Sequence, residues 1–174
     1  MRPVVFLDID DVIAINLHYN SYQVMAALKS ENWEWPELWS ELVFSVGRAN
    51  LSTLHYEFLP SYVISSSWTR YLKQEQIQQI FRKCGLEFIA DALHVCWTTP
   101  KNEYSSRSDE LIEWIAKHRK AGQPLLILDD YNSGFDLVES PLYQQGLVVL
   151  CEPSIGFISE KLVAAQRLLR AQLL

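Results

Sequence analysis

Two short apolar runs in this chain end in acids, and they constrain the fold more than any other feature. The first is PVVFLDIDDVIA, residues 3–14, in which Val4 to Leu7 lead straight into Asp8, Asp10 and Asp11. The second is PLLILDD, residues 124–130, which ends in Asp129 and Asp130. Continuous β-branched and aliphatic runs of this length read as strands buried on both faces of a sheet. Unpaired carboxylates repel one another and are costly beside a dry core.

Further runs of the same kind are SYVIS at 61–65 and GLVVL at 146–150. Helical patterns lie between and after them. In 72–84, Ile77, Ile80, Phe81 and Cys84 share a face, and Gly85 stops the helix. In 107–120, Leu111, Ile112 and Ile115 are expected to share a face, with Ser106 or Ser108 as N-cap. In 160–172, Leu162, Ala165 and Leu169 recur after Ser159. Strands alternating with helices imply an α/β fold with a mostly parallel sheet covered on both faces. A fifth strand is expected within 86–97, a stretch of ambiguous pattern. Residues 12–60 break the alternation and read as a helical insertion, with a last helix near 47–58. Trp33, Trp35 and Trp39 are expected to pack it onto the body. One domain over 1–174 is the expectation for this length.

In open parallel sheets, ligands bind beyond the carboxyl ends of the strands. If the two acid-ended strands are neighbours, four carboxylates converge there: Asp8, Asp10, Asp129 and Asp130. A hard cation makes such crowding tolerable, and magnesium takes carboxylate, water and phosphate oxygens. Against this stands the plainer reading that acids after a strand cap a helix or make a turn. Two such strand ends in one chain weigh toward the metal. The two-residue spacing of Asp8 and Asp10 lets one act as nucleophile and the other as general acid and base. The serines of ISSSW, beginning at Ser65, offer hydroxyls for phosphate oxygens.

The ordered set of these segments resembles the haloacid dehalogenase (HAD) superfamily of phosphohydrolases. VVFLDIDDVI is similar to its first motif and YVISSS to its second. The third falls within KNEYSSRSDELIEWI, and LLILDD is similar to the fourth. SSSW, RSDELIEW, LDD and GLVVLCEPSIGFISEKL further resemble the small HAD domain of Swiss-army-knife RNA repair-type proteins, extending the likeness to about residue 165. The resemblance implies a Rossmannoid three-layer sandwich with a small helical insertion after the first strand. It implies Asp8 as nucleophile, Asp10 as acid–base, Ser65 as phosphoryl ligand and Mg²⁺ as cofactor. Magnesium would be held by Asp8, Asp129 and the Asp10 main chain, with Asp130 in support. The motif cation is Arg107 or Lys101. Asp11 departs from the pattern, standing where a small residue is usual.

The expected activity is magnesium-dependent hydrolysis of a phosphomonoester through an aspartyl-phosphate. The expected substrate is a small phosphorylated molecule, a nucleotide or a nucleic-acid end. A response-regulator-like phosphoacceptor and a catalytically silent HAD-like binding domain are the alternatives. A net charge of −6 argues against an extended nucleic-acid surface or an anionic membrane as partner. Three dispersed cysteines without metal spacing, no signal peptide and no long apolar run lead to a cytoplasmic expectation.

Overall fold

The computed structural model describes residues 1–15 and 18–173. Asn16 and Leu17, within the expected insertion, and Leu174 lie outside the described residues.

Five strands form the sheet: β1 (Val4–Leu7), β2 (Ser61–Ile64), β3 (Leu93–Thr98), β4 (Leu125–Asp130) and β5 (Val148–Cys151). Their order is β3-β2-β1-β4-β5, and every neighbouring pair is parallel. β1 therefore lies at the centre, and the chain winds outward from it in both directions. The helices are α1 (Ser21–Lys29), α2 (Pro36–Glu41), α3 (Ser45–Phe58), α4 (Gln74–Lys83), α5 (Glu87–Ala90), α6 (Arg107–His118), α7 (Pro141–Gln144) and α8 (Ser159–Leu173). The ambiguous stretch before residue 98 divides into α5 and the edge strand β3.

Strand alternation divides the core into two layers. Val5, Leu7, Tyr62, Ile64, Leu126 and Leu128 face a large cluster built with α1–α5 and α8. Val4, Phe6, Val63, Leu125 and Ile127 face a smaller one, closed by Leu111 and Trp114 of α6, Leu137 and Leu142. The result is the expected sandwich of a parallel sheet between two helical layers.

Two expectations change in detail. Residues 12–15 are buried core rather than the start of an added lobe. α3 runs through Leu59 and Pro60 directly into β2, burying Leu51 and Leu54 against the sheet side of the large cluster. It is the crossover helix of the β1–β2 unit, so the added part shrinks to α1, α2 and their loops. Trp39 is buried there, stacked on Trp33 at 5.5 Å and donating its indole N–H to the Trp33 carbonyl at 2.9 Å. Trp35 meets Tyr19 edge-on at 5.7 Å. Trp39 lies in the large core cluster and Trp33 and Trp35 pack against it, so these tryptophans join the added helices to the body, as expected.

The second change concerns α6. Ser106 is the N-cap, in a capping box with Asp109. Its inward line is Arg107, Glu110, Leu111 and Trp114, at the i, i+3, i+4, i+7 spacing of one helical face. Ile112, expected to share that face, is 42% exposed. Trp114 takes the place because its indole fills the space over β1. It meets Phe6 edge-on at 5.0 Å and donates to the Cys96 carbonyl at 2.9 Å.

This face makes a testable distinction. Trp114→Ala should cost about 3–5 kcal/mol of stability, the range for emptying a buried aromatic site. Ile112→Ala should stay within about 0.5 kcal/mol, as surface changes do. Urea unfolding midpoints of the two variants measure the difference, and equal losses would mean the helix face is wrongly placed.

Candidate active site

β1 and β4 are paired in register, Leu7 opposite Leu128, and the Asp8 amide donates to the Leu128 carbonyl at 2.9 Å. The residues that follow the apolar runs therefore meet at one edge of the sheet. Carboxylate oxygens of Asp8, Asp129 and Asp130 lie within 4.8 Å of one another, and all three residues are buried. Asp10 is not in this group: its Oδ2 accepts from the Trp68 indole N–H at 2.9 Å.

The loop after β4 fixes the acids. Asp130 Oδ1 accepts from the amides of Asn132 at 2.6 Å and Ser133 at 3.1 Å. The Asp130 amide donates to Asp129 Oδ1 at 3.0 Å. A β-carbon on Gly134 would stand 3.0 Å from the Asp130 carbonyl oxygen and 3.1 Å from the Asp129 carboxyl carbon. A larger residue there would have to push the Asp130 carbonyl or the Asp129 carboxylate aside.

Arg107, first residue of α6, reaches into the cluster. Its Nε lies 3.1 Å from Asp129 Oδ2, and one terminal nitrogen lies 3.6 Å from Asp8 Oδ1. Lys101 does not reach the acids as closely: it pairs with the buried Glu110. Glu110 also lies 3.9 Å from Arg107 and 3.8 Å from Arg70. Ser67, Arg70, Lys101, Arg107, Glu110 and Ser133 line a hollow of about 160 Å³ beside the acids. Asp136 accepts from the Ser108 amide at 2.8 Å, holding the first turn of α6 in place.

Ser65 ends β2, its amide on the Leu7 carbonyl at 3.0 Å, and its buried hydroxyl has no protein partner. Thr99, one strand further out, is in the same condition. The Asp11 carboxylate is turned out of the cluster. Asp11 has φ 57°, a left-handed conformation that Asp tolerates, and its carboxylate accepts from the Ser154 amide at 2.8 Å. The four histidines are dispersed: His55 stacks on Tyr62, His94 and His118 pack on Trp114, and His18 is exposed.

The electrostatics are severe. Burial pushes the Asp8 carboxyl up to about 7, and the charge of Asp130 adds to this. The Arg107 charge, the Ile9 amide and the Ser66 hydroxyl oppose it. Asp129 is raised well above the ordinary carboxylate range by burial and by Asp8, again against Arg107. Burial also raises Asp10, opposed by the Trp68 hydrogen bond. One guanidinium cannot compensate three buried carboxylates. Asp8 Oδ2 and Asp130 Oδ2 have no partner, and Asp129 Oδ2 has only the guanidinium at ion-pair distance. This all-oxygen donor set suits a hard divalent cation such as magnesium.

A parallel sheet with acids at the ends of its central strands, serines on the next strand and a helix-borne cation defines a HAD-like domain. More narrowly, the chain belongs to the family described as HAD domain in Swiss Army Knife RNA repair proteins, whose profile matches residues 4–162. No curated protein and no solved structure matches the chain.

Ser66, one of the serines of ISSSW, meets Asp8, while Trp68 and Glu110 join the site with no expectation of that in the sequence. For Glu110 the signal was available: it lies one turn after Arg107 on the inward face of α6. For Trp68 the only signal was its place in SSSW.

Charge crowding predicts an inversion of stability. In chelator, Asp8→Asn should be more thermostable than the wild type, because it removes a buried carboxylate whose Oδ2 has no partner while Arg107 keeps Asp129. A gain of about 1 kcal/mol would raise Tm by about 2–4 °C at this chain length. Added magnesium should stabilise the wild type by mass action and the variant much less. Thermal scans of both proteins with chelator and with magnesium read the effect. A wild type indifferent to magnesium would remove the metal from the site.

Proposed function

We propose that the protein is a magnesium-dependent phosphohydrolase that cleaves a phosphomonoester through an aspartyl-phosphate. The observation that carries this is the convergence of Asp8, Asp129 and Asp130 at the ends of β1 and β4, with Arg107 reaching in from the start of α6. Membership of a HAD family supports the reaction class at the superfamily level.

In this reading the phosphoryl group enters the hollow walled by Arg70, Lys101 and Arg107, and the Ser65 hydroxyl donates to one of its oxygens. An Asp8 carboxylate oxygen attacks phosphorus as the bond to the leaving oxygen breaks. Asp10 gives its proton to that oxygen. Water then attacks the phosphorus of the aspartyl-phosphate. Asp10 takes the proton of the water, and inorganic phosphate departs with the Asp8 carboxylate restored. Trp68 holds one Asp10 oxygen and leaves Oδ1, which has no partner, to face the leaving group.

Magnesium, held by Asp8, Asp129 and the Asp10 main-chain carbonyl with Asp130 in support, would neutralise the acids and draw charge from the phosphoryl oxygens. Arg107 supplies the remaining positive charge. Glu110 holds Lys101 and Arg107 side by side, and these two cations with Arg70 keep the hollow positive. The substrate is a small phosphorylated molecule, a nucleotide or a nucleic-acid end, the last of these in keeping with the family's description. No helix is long and apolar enough to cross a membrane among the described residues. A cytoplasmic setting is the matching proposal.

The test is steady-state turnover of an alkyl and an aryl phosphate. Asp8→Asn should abolish both activities, because no neighbour can supply the covalent step. Asp10→Asn should slow the alkyl phosphate by about 10²–10⁴-fold, the usual contribution of general acid catalysis. It should slow the aryl phosphate less, because that leaving group needs little protonation. Chelator should stop turnover and magnesium restore it. Full activity of Asp8→Asn would refute the reading.

A further inference from the structure

Asp11, the acid in the place of a small residue, joins two loops that lie far apart in the chain. Its φ of 57° is left-handed, a conformation that Asp and Asn visit because their short polar side chains can hydrogen-bond nearby. Its carboxylate accepts from the Ser154 amide at 2.8 Å. Ser154 is itself left-handed, with φ 62°. β5 adjoins β4 and not β1, so the loop that carries Ser154 has to pass the end of β4 to reach the end of β1.

The two loops are pressed together beyond this one bond. The Phe157 amide donates to the Val12 carbonyl at 2.8 Å, and a β-carbon on Gly156 would stand 2.8 Å from that same oxygen. The buried Asn50 of α3 donates to the Phe157 carbonyl at 2.8 Å. The amides of Ile155 and Gly156 donate to the Glu152 carbonyl at 3.0 and 3.1 Å. The 152–157 loop is thus a firm anchor. On the other side, residues 9–14 form a tight turn. Ile13 and Ala14 donate to the Ile9 carbonyl at 3.0 and 2.9 Å, and the Asp11 amide donates to the Ala14 carbonyl at 2.8 Å. Asp10 lies inside that turn, one residue before the bond to Ser154.

Asp10 is held by its side chain at one point. Its Oδ2 accepts from the Trp68 indole N–H at 2.9 Å, while its buried Oδ1 has no partner among the described residues. The indole is 4% exposed and also borders an aromatic cleft against α1, so that point is fixed. A single hydrogen bond leaves the carboxylate free to turn about it, and the backbone of the turn must supply the rest. Were residue 11 to leave the left-handed region, the planar peptide between Asp10 and Asp11 would turn with it.

We infer that Asp11 is a positioning residue: its left-handed turn, fastened to the Ser154 amide, aims the Asp10 carboxylate at the leaving oxygen. The catalytic part of this rests on the phosphohydrolase reading; the placement of Asp10 rests on geometry alone. Glycine at position 11 would permit the same turn but could not fasten it. The carboxylate serves here as a hydrogen-bond acceptor and not as a charge, so asparagine has all that the role requires.

The test is a series at position 11. Asp11→Asn keeps the acceptor and tolerates the turn, Asp11→Gly keeps the turn alone, and Asp11→Ala keeps neither. The readout is kcat/KM for an alkyl and an aryl phosphate at saturating magnesium, which reports the step in which Asp10 gives up its proton. Asp11→Ala should lose about tenfold or more on the alkyl phosphate, part of the general-acid contribution, and no more than about threefold on the aryl phosphate. Asp11→Gly should fall between. Asp11→Asn should keep the alkyl-to-aryl ratio of the wild type. A loss shared equally by both substrates, or a loss of thermostability alone, is what a purely structural tie gives, and either would overturn the assignment.

A second measurement needs no turnover. The Trp68 indole N–H resonance, assigned by its loss in Trp68→Phe, reports the bond to Asp10. It should move upfield, toward that of an unbonded indole, in Asp11→Ala and stay in place in Asp11→Asn. If no phosphomonoester is hydrolysed and the resonance behaves in this way, the hydrolase reading fails while the placement of Asp10 by Asp11 stands. A resonance unmoved in Asp11→Ala would overturn the inference. So would Asp11→Asn behaving like Asp11→Ala in either measurement.

Discussion

The arrangement depends on one electrostatic problem, three buried carboxylates facing a single guanidinium. Asp8, Asp129 and Asp130 are fixed by the backbone rather than by flexible side chains. Asp8 directly follows β1, Asp129 and Asp130 are the last two residues of β4, and Asp130 is also clamped by the amides of its own loop. They cannot turn away to relieve repulsion. Arg107 is placed with similar firmness, because α6 is capped by Ser106, tied through the Ser108 amide to Asp136 and anchored by Trp114 over Phe6. The site is thus preorganised for a small, highly charged guest, and it is the absence of that guest that would be costly.

Topology turns a sequence pattern into this geometry. β1 and β4 are over a hundred residues apart, yet lie side by side because the winding reverses at β1. Such a reversal opens a crevice beyond the strand ends. Here the acids come from both sides of the reversal, Ser65 from β2 and the cation from the helix that precedes β4. Each group is carried by a rigid element and needs no folding partner beyond the sheet itself.

Much of this was legible because strands buried on both faces leave an unmistakable signature. Val4–Leu7 and Leu125–Leu128 have no polar position to blur them, so the acids that follow stand out. The legible part ends where contact depends on a side chain crossing between elements. Trp68 reaching Asp10 spans 58 positions and leaves no periodic trace. The α6 face turns away from Ile112 because the inward position is filled by the larger Trp114, which an aliphatic pattern does not reveal. α3 looked like part of an insertion because Ser45–Phe58 carries a weaker apolar stripe, with Asn50 buried on its Phe157 carbonyl and His55 on Tyr62. Asp11 looked like an extra charge on the metal site. Its backbone conformation, invisible in the sequence, turns the carboxylate toward Ser154.

The short turn after β2 borders two hollows of different character. Ser65 and Ser66 sit at the acids, Arg70 faces the cationic hollow, and Trp68 and Tyr71 face the aromatic cleft. A handful of consecutive residues thus borders the acids, the cationic hollow and the aromatic cleft. The opposite wall of the cleft belongs to α1, in the part of the chain added between β1 and α3. That part contributes nothing to the acid cluster, so its sequence can change without disturbing the buried charges. Trp68 is the exception, because one ring serves both sites. Its N–H is committed to Asp10 and its buried ring also borders the cleft, so a change at Trp68 disturbs the Asp10 carboxylate and the cleft wall together.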